Sequence, residues 1–180
     1  MKLFYGLMYI KGKERRKAMD IDYENAVKLH KDTVYKIAYV QCSSEADAED
    51  VFQDVFLTLY SCSKKFESDE HLKAWLIRVT VNRCRQLHRS SWFRKKAELD
   101  ENAASVRIDE DCGSDGAAVI AAVKALPEKY RPIVMMYYYE ELSCGEIADI
   151  LKMNEATVRT RLRRAREMLK EDLKEVWQNE

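Results

Sequence analysis

The chain has 180 residues, with 31 Lys+Arg against 31 Asp+Glu, five Gly and two Pro. That length allows one domain or two small ones, and 47% hydrophobic with 34% charged residues excludes both a disordered and a membrane-embedded chain. So few turn formers exclude a β-sandwich, whose turns recur about every 8–12 residues. A net charge of zero argues against nucleic acid only if the charges are mixed along the chain, and they are segregated.

Met1–Ala18 carries six basic residues and one acidic. Its apolar stretch, Leu3–Ile10, is too short to span a bilayer, and the basic run Lys11–Lys17 stands where a signal peptide would need small residues. Residues 1–18 are expected to be a disordered extension. Tyr23, Val27, His30, Val34, Ile37 and Gln41 then repeat by fours and threes, which predicts an amphipathic helix with Asp20 or Asp22 as its N-cap. Ser44-x-x-Asp47 follows as a capping-box pattern opening a second helix to about Tyr60. Its inner stripe is Ala48, Val51, Phe52, Val55 and Leu59. Ser43–Ser61 holds five acidic residues and no basic one.

Ser63–His71 reads as a loop, and a third helix runs from about Asp69 or Glu70 to Ser90-Ser91. Leu72, Trp75, Leu76, Val79 and Leu87 form its buried side, while Arg78–Lys96 holds seven basic residues and no acidic one. Ala97–Gly116 has no apolar period, and its seven acidic residues against one basic suit a flexible linker. Beyond it, Ala117–Leu126 predicts a helix, Pro127 a boundary, and Glu128–Glu140 a further helix with Pro132 near its start. Ser143-x-x-Glu146 is a second capping box. It is followed by the turn Lys152-Met153-Asn154 and a final helix from about Glu155 to Val176. The fold expected is all-α, as two small helical domains over residues 19–96 and 117–180.

A short helix, a tight turn and a basic helix suggest a helix-turn-helix. At about 100° per residue, Val158, Leu162, Ala165 and Leu169 fall within about 60° of one another and form a buried stripe. Arg159, Thr160, Arg163 and Arg164 lie opposite, with Arg166 at the flank. Such arginines suit guanine edges in a major groove, at about 1–3 kcal/mol of discrimination per bidentate contact. In the first domain, basic residues interleave with Phe66, Trp75, Trp92 and Phe93. Cations neutralise phosphates and aromatic rings stack on unpaired bases. Trp75 sits on the apolar stripe and is assigned to the core, whereas Phe66, in a polar loop, is expected to be free to touch a base. The five cysteines (Cys42, Cys62, Cys84, Cys112, Cys144) contain no C-x-x-C pair, and with three histidines they complete no zinc pattern. Reduced thiols fit a cytoplasmic chain.

Four segments, in order, carry a resemblance. Asp47-Ala48-Glu49-Asp50-Val51-Phe52-Gln53-Asp54-Val55-Phe56 resembles the core-polymerase-binding helix of bacterial sigma factors of the extracytoplasmic-function class. Ala74-Trp75-Leu76-Ile77-Arg78-Val79-Thr80-Val81-Asn82 resembles their promoter-melting helix. Leu126-Pro127-Glu128-Lys129-Tyr130-Arg131 and Glu146-Ile147-Ala148, then the stretch from Thr157 to Arg166, resemble their second domain.

The resemblance implies a transcription initiation factor, not an enzyme, with no cofactor or metal. It implies that Asp50, Gln53, Asp54, Phe56 and Tyr60 dock on the clamp helices of the polymerase largest subunit, and that the second domain meets the flap of the second-largest. Phe66, His71 and Asn82, with Arg78, Arg83, Arg85 and Arg89, would take the minus-ten element and a base flipped from its melted non-template strand. Arg159, Thr160, Arg163, Arg164 and Arg166 would read the minus-thirty-five element as duplex. The acidic linker, residues 97–116, would follow the polymerase's RNA path, and an anti-sigma factor would be a further partner, with no membrane insertion. Lys152 stands where the family's turn carries Gly, so it must accept a strained backbone angle or the turn must be altered. The competing readings are an operator-binding repressor acting without polymerase and a non-DNA adaptor. The first needs no acidic docking helix, and the basic blocks oppose the second.

Overall fold

The structure, a computed structural model, describes residues 22–97 and 114–177. The N-terminal extension and most of the acidic linker lie outside the described residues. Those described form seven helices and no strand: α1 (Tyr23–Gln41), α2 (Glu45–Ser61), α3 (Asp69–Ala97), α4 (Ser114–Ala125), α5 (Arg131–Tyr138), α6 (Cys144–Leu151) and α7 (Glu155–Trp177).

Local chemistry explains most of the boundaries. Asp22 caps α1 by accepting from the Glu24 and Asn25 amides, and Ser44 caps α2 by accepting from the Asp47 amide at 3.1 Å. Ser68 performs the same service for α3, taking the His71 amide at 3.2 Å. That helix runs past Ser90-Ser91 to Ala97, beyond the expected end. Its serine pair weakens a helix without breaking it. The linker's last residues are also helical, because α4 begins at Ser114 rather than Ala117 and absorbs Gly116. By contrast α5 is shorter than the expected Glu128–Glu140. Pro132 occupies its first turn, and the chain leaves the helix through Glu141, whose φ of 55° is left-handed. The Leu142 amide then bonds back to the Met136 carbonyl at 3.0 Å, closing the helix end.

Helices α1–α3 enclose a core of Val34, Ala38, Val51, Val55, Leu59, Leu72 and Leu76. Helices α4–α7 pack on one another, and the two units also share apolar contacts. Ile37, Ile77 and Val81 pack with Ile133, Met136 and Ile147, while Val40 packs with Val123, Leu126 and Val134. Polar contacts frame this seam. Lys73 pairs with Glu140 at 2.6 Å, and His88 pairs with Glu128 at 3.3 Å. Lys36 bonds the Tyr139 hydroxyl. The α1 terminus has no basic residue of its own in the last turn. Arg131 of α5 serves instead, reaching the Val40 and Gln41 carbonyls at 3.4 and 3.5 Å. A guanidinium there completes orphan carbonyls and favours the negative end of the helix dipole.

Candidate polymerase and nucleic-acid interfaces

The acidic side of α2 is one continuous exposed stripe. Asp50, Gln53, Asp54, Leu57 and Tyr60 recur at helical spacing, and all are exposed. Leu57 is 64% and Tyr60 72% exposed, large values for apolar side chains on a well-packed helix. Tyr23 meets Tyr60 edge-on at 5.3 Å and extends the apolar end of the stripe onto α1. Phe56 is half-buried, edge-on to Phe52 at 5.0 Å. Carboxylates beside an uncovered Leu and Tyr form a surface suited to a basic protein partner with apolar pockets. The sequence places Leu57 on this outer side with Glu49, Asp50, Gln53, Asp54 and Tyr60, as found, whereas it assigns Tyr23 to the apolar stripe of α1. For Leu57 the polar neighbours gave the signal, since an apolar residue on an acidic face has no core to serve.

The loop before α3 corrects one expectation. Phe66 is fully buried, 0% exposed, rather than free to stack on a base. Its ring lies 5.4 Å from both the Trp75 and His71 rings, and Lys64 caps it at 5.4 Å. The reason is long-range: α3 presents Leu72, Leu76 and Trp75 to this loop, and a six-carbon ring gains more there than in water. The expected core role of Trp75 agrees with its packing. His71 is half-buried with its Nδ1 accepting from the Glu67 amide at 3.4 Å. Burial holds its imidazole below the ordinary histidine range, with Lys64 adding to the effect and Glu67 opposing it.

Along α3, Asn82, Arg85 and Arg89 are exposed, and Arg78 is half-buried. Arg83 is engaged by α2: its Nε lies 3.7 Å from Asp54, and it donates to Thr58 at 3.3 Å. It also donates to Gln86 at 3.3 Å. The structure therefore brings together two residues expected on separate surfaces, Asp54 and Arg83. The side chains of Trp92 and Phe93 lie outside the described residues.

The α6–α7 pair has the expected form. Ser143 and Glu146 make the reciprocal capping box: the Glu146 amide donates to Ser143 Oγ at 3.3 Å, and the Ser143 amide donates to Glu146 at 2.8 Å. The Ser143 hydroxyl, donating to the Glu146 carboxylate at 2.6 Å, and the Ser143 amide keep that carboxyl below the ordinary glutamate range. Lys152 takes φ 52° and ψ 53°, so the left-handed turn residue is a lysine, as the missing glycine implied. Asn154 then starts α7 by accepting the Ala156 amide at 2.8 Å.

On α7, Val158, Leu162 and Ala165 are buried, and Arg159, Thr160, Arg163, Arg164 and Arg166 are exposed. Most of these arginines already have a partner. Arg159 pairs with Glu155 and Arg163 with Glu167, both at 2.6 Å. Arg166 donates to the Tyr138 hydroxyl at 2.7 Å and stacks over the Tyr137 ring at 5.1 Å. Arg164 lies beside the Tyr130 hydroxyl and, with Lys129, favours its ionised form against the effect of burial. Thr160 spends its hydroxyl on the Ala156 carbonyl at 2.8 Å, which leaves its methyl as the contact group, the kind that meets a thymine methyl. Shallow clefts flank the helix on both sides. One is lined by Ser143, Arg159, Arg163 and Arg166, the other by Lys129, Asn154, Thr157 and Arg164. Both combine cations with a capped helix N-terminus, a combination that accepts phosphate.

Among the described residues no group of histidines, cysteines and carboxylates could hold a metal ion, and no helix is long and apolar enough to cross a membrane.

Comparisons with known proteins follow these landmarks. Residues 26–94 match Sigma-70 region 2 and residues 116–169 match Sigma-70, region 4, together more than half of the chain. The chain is 28% identical to the ECF RNA polymerase sigma factor SigW of Bacillus subtilis, over 91% of this chain and 95% of that protein. It is 26% identical to the RNA polymerase sigma factor SigV of the same organism, over 80% and 89%. Its fold superposes on the sigma factor RpoE of Bartonella quintana, solved with the anti-sigma factor NepR. That match has a TM-score of 0.75 at 24% identity and covers 85% of this chain and 97% of that one. CnrH, solved with the cytosolic domain of CnrY, matches with a TM-score of 0.61 at 26% identity, over 84% and 87%. With both regions present in order, the chain belongs to the sigma-70 family, as a sigma factor of the extracytoplasmic-function class.

Proposed function

We propose that this protein binds core RNA polymerase through the α2 stripe and directs it to promoters by reading two DNA elements. The observation that carries this is the pairing, on one molecule, of an exposed acidic-apolar stripe with an exposed arginine face on a helix-turn-helix. A repressor needs only the second. Asp50, Gln53, Asp54 and Tyr60, with Phe56 at their edge, dock on the clamp helices of the largest subunit. The α4–α7 unit meets the flap of the second-largest.

Arg159, Thr160, Arg163, Arg164 and Arg166 read the minus-thirty-five element as duplex, exchanging their intramolecular partners for base edges and phosphates. His71, Asn82, Arg78, Arg85 and Arg89 engage the minus-ten element and its melted non-template strand. Phe66 supports the rings of His71 and Trp75 from beneath and is withdrawn from the base-contacting set. Arg83 acts as a strut between α2 and α3. The acidic linker follows the polymerase's RNA path. The protein works in the cytoplasm by binding rather than catalysis, and an anti-sigma factor holds it in reserve, a reading supported by the NepR complex of the RpoE relative.

The test is run-off transcription with core polymerase, with and without the protein. A promoter-specific transcript that appears only in its presence is the expected result. Failure to form a complex with core, with no specific transcript, would overturn the reading.

A further inference from the structure

Two cysteines on different helices meet where the second unit covers the first. Cys42 is the C-cap of α1 and Cys84 lies mid-way along α3, and their sulfurs are 3.8 Å apart. Both side chains are buried. A disulfide needs about 2.05 Å between sulfurs, so a small rotation of either side chain closes the gap. The second observation is Lys124 of α4. Its Nζ is buried and hydrogen-bonds to nothing among the described residues, resting instead over the Tyr39 ring at 3.5 Å. Beside the Cys84 contact, its charge favours the Cys42 thiolate, against the opposing effects of burial and of the Asp47 carboxylate. A buried ammonium without an acceptor is costly, and a thiolate beside it would satisfy that need.

We propose that Cys42 and Cys84 form a reversible dithiol–disulfide pair oxidised by hydroperoxides, with Lys124 of the other helical unit activating Cys42. The Cys42 thiolate attacks one peroxide oxygen; the O–O bond breaks, and hydroxide leaves and is protonated to water. The resulting sulfenic acid is attacked by the Cys84 sulfur. The S–S bond forms as the S–O bond breaks, and the departing hydroxide takes the Cys84 proton. Two thiols are oxidised, one peroxide is reduced, and two waters are released. One further observation agrees with Cys42 reacting first. It adjoins the exposed Ser43 at the α1–α2 turn, so a local opening admits a molecule as small as peroxide. Because Lys124 arrives from α4, the pair is reactive while the two units are packed together.

The experiment treats the full-length protein with hydrogen peroxide, blocks free thiols by alkylation, and maps crosslinks by mass spectrometry without reduction. A Cys42–Cys84 peptide pair, two hydrogens lighter than its parts and cleaved by dithiothreitol, is expected. Lys124→Met should slow its formation, by about tenfold for each unit by which the ammonium lowers the thiol's proton affinity, and Lys124→Arg should keep it fast. Both thiols remaining alkylatable in wild-type protein while Cys62 and Cys144 react would overturn the proposal. So would a crosslink forming equally fast in Lys124→Met.

Discussion

Helices α2 and α7 are both amphipathic, each with a charged stripe facing outward, yet the stripes are built on opposite plans. On α2 the acids stand beside uncovered apolar groups, and among the described residues Asp50 has no ion-pair partner. On α7 Arg159, Arg163 and Arg166 are already held, by Glu155, Glu167 and Tyr138, and Arg164 lies beside Tyr130. The acidic face is poised to gain contacts, whereas the basic face must exchange them. On the proposed docking, affinity on α2 comes from burying Leu57 and Tyr60. On α7 it is a difference between two sets of charge-assisted bonds, which favours selectivity over strength.

The largest expected effect attacks the α2 half of that contrast. Replacing Leu57 and Tyr60 together with Ala should weaken core-polymerase binding by about 2–3 kcal/mol, as for truncated hot-spot side chains. Both are exposed, so thermal unfolding should stay unchanged, and titration of labelled protein with core measures the loss. Next, Arg164→Ala should cost about 1–3 kcal/mol at a cognate minus-thirty-five duplex. Comparing cognate and scrambled duplexes separates base reading from phosphate contact, since equal losses on both would leave α7 with no sequence-reading role there.

Smaller effects concern the scaffold that carries the two faces. Lys152→Gly should stabilise the protein by about 1 kcal/mol by relieving the left-handed angle, read from chemical denaturation. On lowering pH, His71 contributes first. Its folded value lies below the unfolded one, so its share of stability is present above about pH 6.5 and is lost as pH falls from there through the lower folded value. Glu146, likewise depressed, gives up its share below about pH 4.3. Denaturation midpoints across this range should fall in those two windows. The smallest effect is the most diagnostic. Glu155→Gln releases Arg159, costing the free helix about 0.3–0.5 kcal/mol while tightening DNA binding if the exchange picture holds.

The helices were legible because their signals are local. Asp22, Ser44, Ser143 and the apolar repeats each act within one or two turns, and the structure uses them as read. The same holds for Lys152, whose left-handed angle follows from a turn that normally takes glycine. What escaped the sequence acts over long separations. Phe66 sits in a polar stretch, and only the arrival of Leu72 and Trp75 makes a pocket for it. Arg83 reads as one more cation until Asp54 and Thr58 are brought beside it. Nothing near Gln41 announces that Arg131, ninety residues later, completes its helix. Tyr23 was missed for a related reason: an apolar residue on a helix stripe is assigned to the core until its exposure is known.

The Arg131 cap and the apolar seam around Ile77 and Val81 carry a consequence for distance. Elements named for positions twenty-five base pairs apart are separated by about 85 Å of duplex at 3.4 Å per step. A compact chain of this length has a radius of gyration of only roughly 16 Å. If the chain reads both elements as proposed, the closed molecule touches one at a time, and engaging both requires the seam to part. Its apparent affinity for a complete promoter is the intrinsic affinity scaled by the open fraction. Once one unit is bound, the other searches as a tethered partner at high effective concentration rather than as a free protein. A partner that shifts the open fraction tenfold thus changes promoter occupancy tenfold at low concentration, without touching a single DNA-reading side chain.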